Sequence, residues 1–240
     1  VAGLPEVTAG AALGAMLAAA GAPRNGEILV VSQKVVSKAE GRVRELTSVE
    51  PGARARELAS ELEKDPRLVE LVLAESRAVI RAAGGVLIVE THSGLVCANA
   101  GIDSSNVPGS DSVTLLPEDP DASARRLRAE VRRATGAAPA VVIADSFGRP
   151  WRLGQADVAI GCAGLPPLDD WRGRPDRDGR ELAATAIAIA DEATAAASLV
   201  RDKVSGAPAA VISGLERYVT AEDGPGAAAL QRDAAEDLFR

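Results

Sequence analysis

The sequence predicts an α+β fold with mixed, largely antiparallel sheets and flanking helices. Three observations carry this. Short apolar runs of strand length recur along the 240 residues, and segments of helical spacing fall among them without the strict alternation of a doubly wound fold. Aromatic residues make up only 2% of a chain that is 47% hydrophobic, so the core has to be built from Ala, Val, Leu and Ile. The length fits one large domain or two small ones, with ample capacity for a core.

The elements follow in order. EILVV (27–31) and KVVS (34–37) read as a strand that continues past a polar break. PGARARELASELEKDP (51–66) has helical spacing and ends at a proline, and a second helix is expected over 67–81. GGVLIVE (84–90) and GLVCANAG (94–101) read as two strands joined by a tight turn. The clearest helix is DPDASARRLRAEVRRATG (119–136), with an Asp cap, apolar Leu127 and Val131, and a closing Gly136. PAVVIADS (139–146) and DVAIGCAG (157–164) are buried strands. An Ala-rich helix is expected over 181–200, a strand over 207–215 and a last helix over 226–239.

Composition and missing motifs exclude several chemistries. A net charge of −7 argues against broad nucleic-acid binding, which needs a basic footprint. No apolar run is long enough to span a bilayer, and no signal-peptide pattern opens the chain. Cys97 and Cys162 sit in apolar strands and read as buried free thiols of a cytoplasmic protein. No Walker loop or dinucleotide fingerprint occurs, and one histidine with two distant cysteines cannot build a structural zinc site. ADSFG (144–148) lacks the first glycine of a nucleophile elbow. The only histidine, His92, precedes Ser146, which is the wrong order for an α/β-hydrolase.

Oxygen ligands remain. Asp103, Asp145 and Ser146 are placed by the pattern at the mouths of two strands. Hard cations such as Mg²⁺ or Mn²⁺ take one or two carboxylates together with waters and phosphate oxygens. The alternative is an Asx-turn at Asp103 and a helix cap at Asp145. Six arginines (149, 152, 172, 174, 177 and 180) and three of the five aromatics (Phe147, Trp151 and Trp171) share one stretch. Arginine with tryptophan suits an anionic ligand bearing a flat ring; the interleaved aspartates allow a salt-bridged loop instead. Lys34 and Lys38 follow a strand, where an ammonium could reach a phosphate or simply face solvent.

Six blocks in order, VVSQKVVSKAEGRVREL, NAGIDSSNV, LLPEDPDASARRLR, DSFGRPWRLGQADVAIG, DWRGRPDRDGREL and IADEATAAASLV, resemble the coenzyme F420:L-glutamate ligases, also called F420-0 gamma-glutamyl ligases. The resemblance runs from Gly3 to about Leu215. It implies a GTP-dependent enzyme that joins L-glutamate to the deazaflavin F420-0, and further γ-linked glutamates, through an acyl phosphate. It implies one or two Mg²⁺ or Mn²⁺ ions, room for a monovalent cation such as K⁺, and an unusual family-specific fold seen as an interwoven homodimer. By resemblance, Asp103 and Asp145 hold a metal and Ser146 stands where relatives often carry a threonine ligand of a second one. Leu4, Pro5, Glu6, Val7, Gln33, Lys34, Lys38 and Asn106 match segments that line GTP, with Lys38 also a catalytic candidate. Arg149, Trp151 and Arg152 are the candidates for the deazaflavin. Lys203 falls where some relatives carry an acidic or amide residue beside the second metal. One catalytic domain is expected over 1–240, or two interleaved subdomains, without a C-terminal nitroreductase-like domain. A metal-dependent phosphotransferase or phosphatase, and a non-catalytic deazaflavin- or nucleotide-binding protein, are the competing readings.

Overall fold

The structure, a computed structural model, describes residues 1–103, 111–201 and 206–237. In chain order it contains α1 (Leu13–Gly21), β1 (Ile28–Ser32), α2 (Gln33–Ala39), β2 (Val43–Glu45), α3 (Ala53–Leu62), α4 (Pro66–Ala74), β3 (Ser76–Ala83), β4 (Val86–Thr91) and β5 (Val96–Ala98). It continues with β6 (Ser112–Thr114), α5 (Pro120–Thr135), β7 (Ala140–Arg149), β8 (Arg152–Ala163), β9 (Asp169–Asp170), β10 (Ala186–Ile187), α6 (Ile189–Ser198) and β11 (Ala209–Ile212).

The central sheet runs β11-β1-β7-β8. Only β1 and β7 are parallel; the β1/β11 and β7/β8 pairs are antiparallel. Both faces of this sheet are covered, which is why its strands read as unbroken apolar runs. Leu29, Val31, Val141 and Ile143 point to one side, against Leu13 and Leu17 of α1 and Leu127 and Val131 of α5. Ile28, Val30, Ala140 and Val142 point to the other, against Ile189, Ala193 and Ala197 of α6. The connection from β1 to the parallel β7 carries its own core: α3 and α4 pack Leu58, Leu62, Val69 and Val72 on Leu87 and Val89 of an antiparallel β3-β4-β5 sheet. The α+β class with largely antiparallel sheets is therefore as the sequence predicts.

Four elements differ from expectation. Residues 33–39 form a helix, not the continuation of a strand. The i,i+4 spacing buries Gln33 and Ser37, whose hydroxyl donates to the Gln33 Oε1 at 2.9 Å, and tertiary burial overrides the β-branched Val35–Val36 pair. The helix expected over 67–81 stops at Ala74, because 76–83 supplies the partner strand that β4 needs. In 181–200 only Ile189–Ser198 is helical, since Ala186–Ile187 pairs with Asp169–Asp170. The last helix expected over 226–239 is replaced, among the described residues, by single 3₁₀ turns.

The α5 helix matches the sequence reading closely. The Asp119 carboxylate accepts from the Ala122 N–H and Gly136 closes the helix at φ 78°. Asp121, in the first turn and 9% exposed, does more than favour the helix dipole. Its carboxylate accepts from the backbone N–H groups of Cys162, Ala227 and Ala228, tying α5 to β8 and to the C-terminal segment. The two aspartates should respond differently to truncation. Asp119→Ala should cost about 1 kcal/mol, the usual loss for a cap. Asp121→Ala should cost about 3 kcal/mol, because buried donors are left without an acceptor. Urea unfolding measures both, and equal losses would contradict the structural role of Asp121.

Candidate active site

The site arises from a mismatch in strand length. β1 ends at Ser32, opposite Ala144 of β7, but β7 runs on to Arg149 with β8 beside it. Asp145 is thus the first residue of β7 beyond the end of β1, inside the strand and not at its mouth as the sequence suggests. A cavity of about 1000 Å³ opens there. One wall is Leu4, Pro5, Glu6 and Val7 with Lys34 and Lys38 of α2; the floor is Ala144, Asp145 and Ser146; the other wall is Gln155, Asp157, Ser198, Arg201 and residues 206–208.

The helical form of 33–39 sets the cationic wall. Lys34 and Lys38 stand one turn apart and both face the cavity, whereas Gln33 turns into the core and does not line it. Lys34 Nζ lies 2.8 Å from Asp103 Oδ2, and Lys38 Nζ donates to Glu6 Oε1 at 2.6 Å. Asp103 is held by a two-bond bridge to Thr114, just after three successive residues of positive φ, Asn99, Ala100 and Gly101. Turning the chain this way brings Asp103 up to Lys34.

Asp145 forms no ion pair among the described residues. Burial, joined by the negative charges of Asp103 and Asp157, pushes its carboxyl up to about 7, against the Ser146 backbone N–H and Lys34. Across the hairpin Ser146 faces Asp157, and its hydroxyl donates to Asp157 Oδ1 at 2.6 Å. Asp157 Oδ2 accepts from Arg201 Nη2 at 2.6 Å. Burial pulls the Arg201 guanidinium down from its ordinary pKa, and the Asp157 carboxylate opposes this.

The donor set is oxygen throughout, which fits a hard divalent cation. Among the described residues no group of three or more His, Cys, Asp or Glu converges on one ion. A cation at Asp145 would therefore complete its shell with hydroxyl, water and phosphate oxygens.

Asp157 and Arg201 were not singled out from sequence. Ser146 finds Asp157 only because the β7–β8 hairpin carries a bulge at Leu153–Gly154, which no motif announces. Arg149, Trp151 and Arg152 lie at the tip of that hairpin, outside the cavity lining; Trp151 is 82% exposed and Arg149 donates to the Leu153 carbonyl. Further along, Arg172 forks onto Asp170 at 2.6–2.9 Å and Arg174 stacks on Trp171, so the aspartates there do engage arginines. Asn106 and Lys203 lie outside the described residues.

An α+β scaffold thus sets carboxylates, a hydroxyl and two ammonium groups around one open cavity, the arrangement of a polar active site. A family model described as F420-0:Gamma-glutamyl ligase matches residues 3–214, and the chain belongs to that family. It is 43% identical to the coenzyme F420:L-glutamate ligase of Haloarcula marismortui, over all of this chain and 94% of the relative. It is 41% identical to the protein of the same name from Methanopyrus kandleri, over 98% of this chain and 94% of the relative. With that of Methanothermobacter thermautotrophicus it shares 44% identity over 90% and 85%. No helix among the described residues is long and apolar enough to cross a membrane.

Cys97 and Cys162 are free and buried. Burial, with the Asp145 charge beside Cys97 and the Asp121 and Asp191 charges beside Cys162, pushes both thiols up to about 12. A raised thiol pKa keeps the unreactive protonated form at pH 8. In the native protein both should therefore resist a thiol-reactive disulfide reagent, with rates at least 100-fold below those in urea. Rapid native labelling of either residue would contradict the burial described.

Proposed function

We propose that this chain ligates L-glutamate to the deazaflavin F420-0, using GTP and forming an acyl phosphate, and that it extends the product with further γ-linked glutamates. The observation that supports this best is the cavity itself. Two lysines of α2 face a carboxylate floor across a space large enough for a nucleoside triphosphate, in a chain that spans 94% of the length of two relatives bearing the ligase name.

The chemistry then divides among the side chains. A carboxylate is a poor acyl donor because oxide is a bad leaving group. Its oxygen attacks the γ-phosphorus of GTP and GDP leaves; the glutamate amine then attacks the acyl carbon and phosphate leaves. Mg²⁺ or Mn²⁺ held by Asp103, Asp145 and Ser146 would neutralise charge on the phosphoryl oxygens. Lys34 and Lys38 supply positive charge from the opposite wall, after exchanging their carboxylate partners for phosphate oxygens. Leu4 to Val7 border the nucleotide, and the wall formed by Ser198, Arg201 and residues 206–208 helps exclude water from the acyl phosphate. The deazaflavin enters from the side of the β7–β8 hairpin, and the exposed Trp151, Leu153, Leu199 and Val200 are covered in a homodimer.

Glutamate-dependent release of GDP, with mass spectrometry of the product, tests this reading. Release of phosphate without glutamate would favour a phosphatase. Asp103→Asn and Asp145→Asn should each lower turnover at least 100-fold with the circular dichroism unchanged. Lys38→Ala should weaken GDP binding about 10-fold by calorimetry while deazaflavin binding changes less. Unchanged GDP affinity would return α2 to a purely structural role.

A further inference from the structure

Ser146, Asp157 and Arg201 form a hydrogen-bonded chain at the cavity, and the reaction as described gives Asp157 no part. We propose that Asp157, locked by Arg201, is a positioning residue that presents the Ser146 hydroxyl oxygen to a cation in the cavity. The proposal rests on the metal reading above and adds to it the means by which a freely rotating hydroxyl is aimed.

A serine hydroxyl has one proton and two lone-pair directions, and its torsion is soft. Beside a cation only the oxygen is useful, so the proton has to point elsewhere. Asp157 takes it: the 2.6 Å contact to Oδ1 fixes the O–H along the hairpin, while Ser146 itself lines the cavity. Asp157 is itself immobilised at three points. Its Oδ1 holds Ser146, its Oδ2 accepts from Arg201 Nη2 at 2.6 Å, and its backbone carbonyl accepts from Thr194 Oγ1 of α6 at 2.9 Å. Arg201 is in turn fixed, with its side chain 8% exposed and Nη1 donating to the Pro208 carbonyl at 3.3 Å. The same Pro208 carbonyl accepts from the Ser32 N–H at 2.8 Å, which marks the end of β1. The chain thus joins β7, β8, α6 and the end of β1.

The charge balance agrees. Arg201 pairs with Asp157 and offsets part of its charge, so the pair aims the hydroxyl while adding less negative charge beside Asp145 than a bare carboxylate would. With both its oxygens engaged, Asp157 is poorly placed to be a direct ligand. A direct ligand would have served the cation more simply, so the engagement points to orientation. Outer-sphere partners of this kind usually change metal affinity by 10-fold or more when removed.

The test is Mn²⁺ affinity, measured from the free-ion electron paramagnetic resonance signal on the intact protein with GDP present and no turnover. Ser146→Ala and Asp157→Ala should each weaken Mn²⁺ binding about 10-fold. The double variant should be no weaker than either single one, because Asp157 acts only through Ser146. Losses that multiply in the double variant would make Asp157 a direct or purely Coulombic contributor and overturn the proposal. Unchanged Mn²⁺ affinity in Asp157→Ala, with a lowered melting temperature, would make the pair merely structural. Should Asp157→Ala not fold, Arg201→Lys serves instead. It keeps the charge but loses the fork, so it should weaken Mn²⁺ binding several-fold in the wild-type background and not at all beside Ser146→Ala. No effect in either background overturns the proposal. Asp145→Asn separates this inference from the one beneath it. If that variant also binds Mn²⁺ normally, the metal reading fails; if it loses Mn²⁺ and Asp157→Ala does not, only the positioning role fails.

Discussion

The structure depends on where β1 stops. Its hydrogen bonds to β7 end at the Ser32–Ala144 pair, and the chain turns at once into α2. Had β1 continued, Asp145 and Ser146 would face a neighbouring strand across a closed ladder. Because it stops, β7 and β8 project as a two-stranded arm and leave a space beside them. The same turn delivers Lys34 and Lys38 to the rim of that space. One strand end thus supplies the cavity, its cationic wall and the exposure of its carboxylate floor.

Charge in the cavity is arranged unevenly, and the unevenness has meaning. Lys34 has Asp103, Lys38 has Glu6, and Arg201 has Asp157. Asp145 is the cavity carboxylate without an ion pair among the described residues, and burial pushes its carboxyl up to about 7. An isolated buried carboxylate is costly unless a charge arrives to share it. A structural core would have dispensed with it, as the apolar run 140–144 before it does. The cost is accepted at one position, next to an open cavity, which marks Asp145 as a functional-site candidate.

Much of this was legible in the sequence, and what was not has identifiable causes. The α5 helix could be read to the residue because its signals are local: an Asp cap, an apolar stripe and a terminal glycine. Asp103 and Asp145 stood out because a carboxylate at the close of an apolar strand breaks its pattern. The α2 helix is not legible because seven residues with a central Val–Val pair carry no decisive period, and burial of Gln33 decides the outcome. The Ala-rich 181–200 segment was overextended for a related reason: alanine favours helix wherever nothing else acts, and strand pairing at Ala186–Ile187 does act. Asp157 and Arg201 were missed because their roles depend on register. With the Pro150–Trp151 turn alone, Gln155 would stand opposite Ser146; the inserted Leu153 and Gly154 move the register by two and bring in Asp157. A shift of two keeps the face while changing the partner, so the alternation of the sequence is silent about it.

The site also explains why it takes nearly the whole chain to build it. Glu6, the two lysines, Asp103, the β7–β8 hairpin and Arg201 are far apart in sequence and meet only when the parallel β1–β7 pair has closed around its long connection. None of these residues can be held in place by its own segment. Arg201 reaches across to Asp157 and to the Pro208 carbonyl, and that carbonyl is bonded in turn to the end of β1. Order at the floor of the cavity is therefore inherited from the central sheet and not from any loop. A cation or nucleotide that binds there draws on the stability of the entire fold, and stabilises the entire fold in return. That coupling favours rigid placement of whatever is bound, as the proposed ligation through a water-sensitive acyl phosphate would demand.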